Sequence, residues 1–457
     1  MPFQINDPLS AEQWRAVEDA AFQILESTGM TVPYGPALDT LRSRPGFRVD
    51  GDRIRLDRSC VREASHAVRG SSAYDTPLIS GAYSHHYLDP KTGKVRSPTL
   101  DDLVLSVRQA DATGSGVCAP VVPLDVPGPV QEIVMERVTH ENCRFSYGGG
   151  QATTLAAAEA GLEMSAVVNR PHELEIWVTS PLVLDPTGLE IAWKLRQRRP
   201  RVRISNMPVR GMSGPISLAG MLALTTAECL GAATVLRALS IAENLAFRID
   251  AFWGYTMDPR TANVLLGGPD YLRLMILSIF LGRRYGIDRP MGKALLSSSK
   301  MPDEQAAAEK TAQALAAAMA GAGTFTAAGT LSLVEVFSPL QMIVDQEIVR
   351  WVNACQRDLD FSTADFPLDE IAAVGPGGTF MDRESTAARM RESFWMPQLF
   401  SVDSYPMWLT GGGRDLLDRA RQTLGELKVA DGPVVTRDQQ RELAAIEKRF
   451  AAMVTTG

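Results

Sequence analysis

The stretch WGYTMDPRT, residues 253–261, places Trp253, Tyr255, Asp258 and Arg260 where a strand-like run, LAFRIDAF, gives way to a helix-like one. A plain connection would use Gly, Asn or Ser. Two large aromatics and two opposite charges make either a binding surface or an Asp–Arg pair with rings sealing the end of a fold. Glu228 is the only charged residue in ISLAGMLALTTAECLGAATVL, residues 216–236. A lone buried acid needs a hydrogen-bonding partner or a chemical task. The loop SSSKMPDEQ, 297–305, offers Lys300, Asp303 and Gln305, or simply a helix start with Asp303 as a favourable first-turn acid. In YGGG, Gly148, Gly149 and Gly150 remove side chains beside Tyr147, which suits backbone approach to a bound group or a tight turn.

Other chemistries lack their residues. His85 and His86 are adjacent, point different ways on an extended chain and have no third ligand at a fixed spacing, so no metal site is expected. The five cysteines form no CxxC pair and read as reduced thiols. No GxSxG elbow, Walker loop, HExxH or dinucleotide fingerprint occurs. The 457 residues carry a net charge of −7 with acids and bases intermixed, which argues against nucleic acid. Arg273 interrupts the apolar segment 270–282, and Arg283 and Arg284 flank it, so no membrane span is expected. The start, MPFQINDPLSAEQW, lacks a basic-then-apolar pattern and predicts a cytoplasmic location.

The positioning elements form a rhythm. Residues 1–75 read as an N-terminal helical cap, with a helix over 10–28 stopped by Gly29. From 76 to 358, strand-like runs near 77–80, 117–122, 143–147, 174–179, 202–206, 246–253, 287–296 and 321–327 alternate with helical patterns. Those helices fall near 99–113, 129–141, 153–168, 186–198, 216–239, 261–285, 303–320 and 335–356. Eight strand-then-helix units predict an α/β fold, a (β/α)8 TIM barrel. Residues 359–457 read as a Gly-rich loop and a C-terminal helical extension, with helices at 413–427 and 436–453. Loops after the strands are long and chemically rich, whereas helix-to-strand links such as DATGS and HEN are short and plain. That asymmetry puts the working face at the C-terminal ends of the strands.

Several blocks carry a resemblance: PVVPLDVP, NMPVRGMSGPISLAGMLALTTAECLGA, DPRTANVLLGGPDYLRLMILSIFLGRRYGI, SKMPDEQAAAEKTAQALAAAMAGA, SPLQMIVDQEI and VGPGGTFMDRESTAARMRESFWMPQL. In this order they resemble the trimethylamine methyltransferase family, from about residue 10 to about 425. With only standard residues, the chain resembles the non-pyrrolysine branch, some of whose members demethylate glycine betaine and related amines. The resemblance implies a barrel that takes a methyl group from a small quaternary amine and gives it to the cobalt(I) of a corrinoid (cobalamin) on a small partner protein. No metal would be bound directly by side chains. Thr379 stands where family members often have His after GPGG.

The expected site follows. Catalytic residues are Glu228, Asp258 and Lys300. Substrate contacts are Tyr147, Asn206, Trp253, Tyr255 and Arg260, with the two aromatics of 253–255 in a cation cage and Arg260 holding a carboxylate. Corrinoid contacts are Gly148, Gly149, Gly150, Gln305, Gly377, Gly378 and Thr379. A permanently charged amine leaves as a neutral amine, so neither a general acid nor a protein nucleophile is required. Alternatives are a folate-type acceptor, a non-catalytic betaine or corrinoid sensor, and a lyase using Lys300 as a Schiff base. A homo-oligomer is possible.

Overall fold

Local signals start the helices. Thr99 accepts the Asp102 N–H while Asp102 caps Thr99 in return, opening Leu100–Ala112. Ser217, Asp303 and Ser338 cap Leu218–Ala238, Glu304–Ala320 and Pro339–Cys355 through their side chains. The other helices of the eight units are Gly128–Asn142, Leu155–Val167, Pro186–Leu195 and Pro269–Arg284. These features come from a computed structural model that describes residues 3–66, 68–69, 76–146, 152–241, 247–249, 254–287, 289–359 and 366–456. Of Arg69, Phe247, Arg248, Thr455 and Thr456 it describes the backbone alone.

The result is an α/β protein whose parallel strands form two arcs. In one, Met291–Gly292, Thr324–Ala328, Leu78–Ser80 and Gly116–Val117 pair side by side, and Val117 bridges to Ser146. These are units seven, eight, one, two and three. In the other, Glu173–Thr179, Arg201–Asn206 and Phe247–Ile249 pair as units four, five and six. Among the described residues no ladder joins three to four or six to seven, so the closed ring expected from the sequence is not formed by ladders. The free edge of unit six is instead taken by Val68–Arg69, which pairs in parallel with Phe247–Ile249.

Two further expectations are corrected. Unit seven forms a ladder only at Met291–Gly292, not over 287–296. The expected helix over 261–285 begins at Pro269. Before it, Thr256–Met257 and Val264–Leu265 form an antiparallel hairpin whose tip is 258–263.

The N-terminal segment continues the second arc. Met30–Thr31 pairs in parallel with Val183–Leu184 and antiparallel with Arg53–Leu56. Helices Ala11–Gln23 and Arg58–Ser65 pack on Leu218–Ala238. That helix is long and apolar enough to cross a membrane, yet 83% of its apolar window is buried within the protein. An all-round apolar surface is what a helix covered on every side requires. At the other end of the chain, Leu443, Ile446 and Phe450 of Arg437–Thr456 pack with Ile133, Ala157, Ala160 and Met164.

Candidate active site

Backbone hydrogen bonds tie the loops at the strand C-termini into a chain of neighbours. Loop five meets loop six where Tyr255 N–H donates to the Pro208 carbonyl (2.9 Å) and Arg210 N–H to that of Tyr255 (2.8 Å). Loop six meets loop seven at Ser298, whose hydroxyl donates to the Leu266 carbonyl (2.7 Å). Ser332 N–H donates to Ser299 O, and Ser84 Oγ to Val334 O, joining seven to eight and eight to one. Val122 N–H donates to Ser84 O and joins one to two. The mouth is therefore continuous from five through eight to two, bridging the gap between strands six and seven. Tyr83, Leu182, Ala262, Ser332 and Leu333 in loops one, four, six and eight, and Ala327 near the end of strand Thr324–Ala328, all have positive φ without being glycine. Such strain persists where surrounding structure over-determines the backbone, and it concentrates at functional sites.

Beneath the mouth lies a polar layer. Along Glu173–Thr179, Leu174, Ile176 and Val178 are buried, while Glu175 and Trp177 occupy the opposite face. Register sets Arg203 beside Glu175 and Ser205 beside Trp177. Arg203 Nη2 sits 2.9 Å from Glu175 Oε2, and Ser205 Oγ donates to Glu175 Oε1 at 2.6 Å. The Tyr83 hydroxyl contacts Cys118 Sγ. Burial, then the Cys118 and Glu175 charges, push the Tyr83 phenol well above its usual range, and burial raises the Cys118 thiol to about 11. Both groups are neutral near pH 7. Among the described residues, the indole N–H of half-buried Trp177 has no hydrogen-bond partner.

Glu228 is a structural hub beside this layer. It is fully buried. Its Oε1 accepts the Leu182 N–H (3.0 Å), and its Oε2 accepts Ser180 Oγ (2.9 Å) and Asn206 Nδ2 (2.7 Å). Asn206 Nδ2 also donates to Thr225 Oγ1 (2.7 Å), and its Oδ1 is buried without a partner among the described residues. Burial raises the carboxyl to about 7, opposed by those three donors. The expected catalytic Glu228 and substrate-binding Asn206 are thus brought together, and they join loop four to the end of strand five.

The other expected residues are more dispersed. Asp258 and Arg260 form a pair at the hairpin tip. Arg260 donates its N–H to Asp258 Oδ1 (2.8 Å) and its Nη2 to Oδ2 (2.7 Å). The Arg260 side chain is 85% exposed, so it does not line a buried pocket. The guanidinium bonds first, then the Arg260 N–H, lower the Asp258 carboxyl to about 2. Tyr255 is buried, stacks on Tyr271 at 6.0 Å and accepts from Lys293 Nζ (2.8 Å), leaving at most one ring face for a ligand. Lys300 is exposed and turns back to the Ser298 carbonyl (2.7 Å). Gln305 donates to Glu309 Oε1 (2.8 Å), whose Oε2 accepts from Ser297 Oγ and Ser298 N–H. Gly377, Gly378 and Thr379 lie in an exposed turn, where Thr379 Oγ1 accepts the Met381 N–H (3.2 Å). Tyr147, Gly148, Gly149, Gly150 and Trp253 lie outside the described residues. Among the described residues, no group of three or more His, Cys, Asp or Glu is placed to hold a metal.

The family model described as trimethylamine methyltransferase (MTTB) matches residues 2–72 and 150–454. The chain belongs to this family. With standard residues throughout, it fits the non-pyrrolysine branch of the MTTB family. It is 26% identical to the glycine betaine methyltransferase of Desulfitobacterium hafniense strain Y51, over 88% of each chain. It is 24% identical to the trimethylamine methyltransferase MttB of Desulfitobacterium hafniense strain DCB-2, over 90% of this chain and 87% of the other. The monomethylamine methyltransferase structure from Methanosarcina barkeri aligns over 93% of this chain and 89% of its own, with 12% identity and a TM-score of 0.47.

Within this MTTB chain, the polar layer of Tyr83, Cys118, Glu175, Trp177 and Arg203 was not singled out from the sequence. A signal was present. ELEIW and RVRIS place charges at every second position of consecutive strands, and matched alternation of that kind marks a shared polar face. Tyr83 and Cys118 carry no local signal, because they meet only through the parallel pairing of units one and two.

Proposed function

We propose that this chain takes a methyl group from a small quaternary amine of the glycine betaine type and passes it to the cobalt of a corrinoid on a small partner protein. The observation that carries the reading is the similarity to a glycine betaine methyltransferase over 88% of both chains, within a family match that spans most of this one. The eight units are read as a (β/α)8 barrel opened beside unit six by Val68–Arg69. The order of the two arcs and the linked loops support this.

The mouth suits a flat, largely apolar macrocycle. Leu124, Met207, Met212, Ile216 and Met301, in the loops after strands two, five and seven, expose large apolar surface there. When bound, the corrinoid supplies a cobalt(I) nucleophile, so the protein needs no nucleophile of its own. Arg260, exposed at the hairpin tip with Asp258 orienting it, would hold a carboxylate on the carrier protein.

Beneath the mouth, Trp177 and Tyr83 present aromatic surface to a cation, each face worth roughly 0.5–2 kcal/mol. Trp253, Tyr147 and the remaining face of Tyr255 are assigned to the same cage. Glu175 is already neutralised by Arg203. This matters, because an unpaired carboxylate would favour the cationic ground state over a transition state in which the charge is dispersing. Glu228 acts at one remove, fixing Ser180, Leu182 and Asn206 so that the donor lies in line with its acceptor. Such alignment contributes up to ~7–11 kcal/mol in favourable cases.

Calorimetry with glycine betaine, carnitine, choline and trimethylammonium tests the donor assignment. At least one permanently charged amine binds, and Trp177→Ala weakens it. Absence of binding across the panel overturns the assignment.

A further inference from the structure

The polar face beneath the mouth carries more arginine than acid. Parallel register sets Glu173 beside Arg201 and Glu175 beside Arg203. It continues from Arg203 to Arg248 on strand six, and from Arg248 to Arg69 on the strand that takes its free edge. Alternate positions of a strand share a face, so all of these positions fall on the face of Trp177. Residues 68–69, 173–179, 201–206 and 247–250 contain four arginines and three acids, Glu173, Glu175 and Asp250. Asp250 lies outside the described residues. The strands of units one, two, seven and eight, Leu78–Ser80, Gly116–Val117, Met291–Gly292 and Thr324–Ala328, contain no charged residue. One positive charge is therefore in excess across the strands.

Trp177 stands one step nearer the mouth than the row of Glu175 and Arg203, two residues on and about 6–7 Å along the strand. Its enclosed indole N–H has no partner among the described residues. Enclosed donors are normally satisfied, so this one calls for an acceptor. Arg203 is fixed in place, with Nη2 2.9 Å from Glu175 Oε2 and Ser205 Oγ on the other carboxylate oxygen at 2.6 Å. An enclosed donor above an excess of guanidinium suits an anion, and guanidinium binds a carboxylate through paired N–H groups.

Resting on the methyl-transfer reading above, we propose that the donor's carboxylate binds in this layer, accepting from the Trp177 indole N–H and the arginine row headed by Arg203. The site then takes zwitterionic quaternary amines in preference to bare cations. The direction of transfer sets the pose. The methyl group leaves toward the mouth, where the acceptor arrives, so the rest of the donor points down to the arginines. A bare cation in that place meets excess positive charge, whereas a zwitterion cancels it. One indole can serve both ends, offering its face to the ammonium and its N–H edge to the carboxylate. That favours a betaine with few carbons between its charges. Arg260, 85% exposed at the hairpin tip, takes no part in this layer.

The test is calorimetry of the full chain with glycine betaine, its carboxamide and tetramethylammonium, which share a cationic head and differ in the anion. Glycine betaine binds about tenfold or more tightly than the other two, which lack the charge-assisted hydrogen bonds. Trp177→Phe keeps an aromatic face and removes the N–H. It narrows that ratio several-fold and leaves tetramethylammonium binding as in the wild type. Arg203→Lys keeps a charge beside Glu175 without the guanidinium fork, and it narrows the ratio likewise. Equal binding of all three ligands overturns the carboxylate site and leaves the methyl-transfer reading standing, whereas binding of none overturns both. A ratio unchanged in both folded variants overturns the assignment to this layer. Should one variant misfold, the wild-type ratio and the other variant decide by the same outcomes.

Discussion

Replacing Glu228 by Gln should flatten one part of the protein's pH–stability curve. Burial holds this carboxyl at about 7 in the folded chain, against an ordinary value of 4.5. The folded state therefore binds more protons than the unfolded state between those values. Its contribution is fully present below about pH 4.5, falls as pH rises, and is lost above about pH 7. The separation is worth about 3 kcal/mol. A neutral amide removes the slope, so the variant matches the wild type near about pH 5 and exceeds it by up to about 3 kcal/mol near about pH 8. The partners permit the exchange. Leu182 N–H keeps an acceptor oxygen, Ser180 Oγ can turn to accept, and Asn206 can rotate its unpartnered Oδ1 toward the new N–H. Glu228→Ala instead removes the acceptor of the half-buried Ser180 Oγ and Leu182 N–H and one of the two acceptors of Asn206 Nδ2, at about 1–3 kcal/mol for each donor left unpaired. Urea denaturation of wild type and Gln variant at both pH values checks this, since their difference cancels every other titrating group. Parallel pH profiles for the two chains would refute the reasoning.

Lys310 and Asp345 are both fully buried, 2.7 Å apart, with Thr330 O, Gly329 N–H and Gln341 completing the cluster. Lys310→Met should cost about 3–5 kcal/mol by stranding Asp345, and Lys310→Met/Asp345→Leu should recover much of that in the same denaturation assay. Trp177→Ala should weaken calorimetric binding of the preferred quaternary amine by roughly 1–2 kcal/mol, and Trp253→Ala by a similar amount. Arg260→Ala should leave the melting temperature unchanged, because the side chain is exposed, while raising KM for the corrinoid protein and sparing kcat at saturation.

The helices were legible because their signals are local. Caps at Thr99, Asp303 and Ser338 and the apolar periodicity between them mark starts that the structure reproduces within a few residues. Strands were legible where alternation ran long enough, as at Arg201–Asn206, and not where a ladder is two residues long, as at Met291–Gly292. The hairpin from Thr256 to Leu265 was read as a loop running into the start of a helix at 261. Its strands are held by pairing with each other and by the Val209–Tyr255 bridge, neither of which a 3.6-residue pattern reveals. Val68–Arg69 was hidden for the same reason, since its place beside unit six is a pairing across the whole fold.

At the site, Glu228 stood out as a lone acid in an apolar helix, but its partners Ser180 and Leu182 lie 48 and 46 residues away in sequence. The Asp258–Arg260 pair was visible, and its outward direction was not. The apolar residues of 366–412 look like core residues in sequence, and only the fold shows that their own chain leaves them uncovered.

The central claim is tested most directly by mixing the purified protein with a corrinoid reduced to cobalt(I) and each candidate amine, and following the visible spectrum through a single turnover. Glycine betaine or a close quaternary analogue should convert the cobalt(I) spectrum to that of methyl-cobalt(III), with one demethylated amine formed per cobalt. A cobalt(I) spectrum that persists with every quaternary amine, while binding or methyl transfer to a folate proceeds, would contradict it.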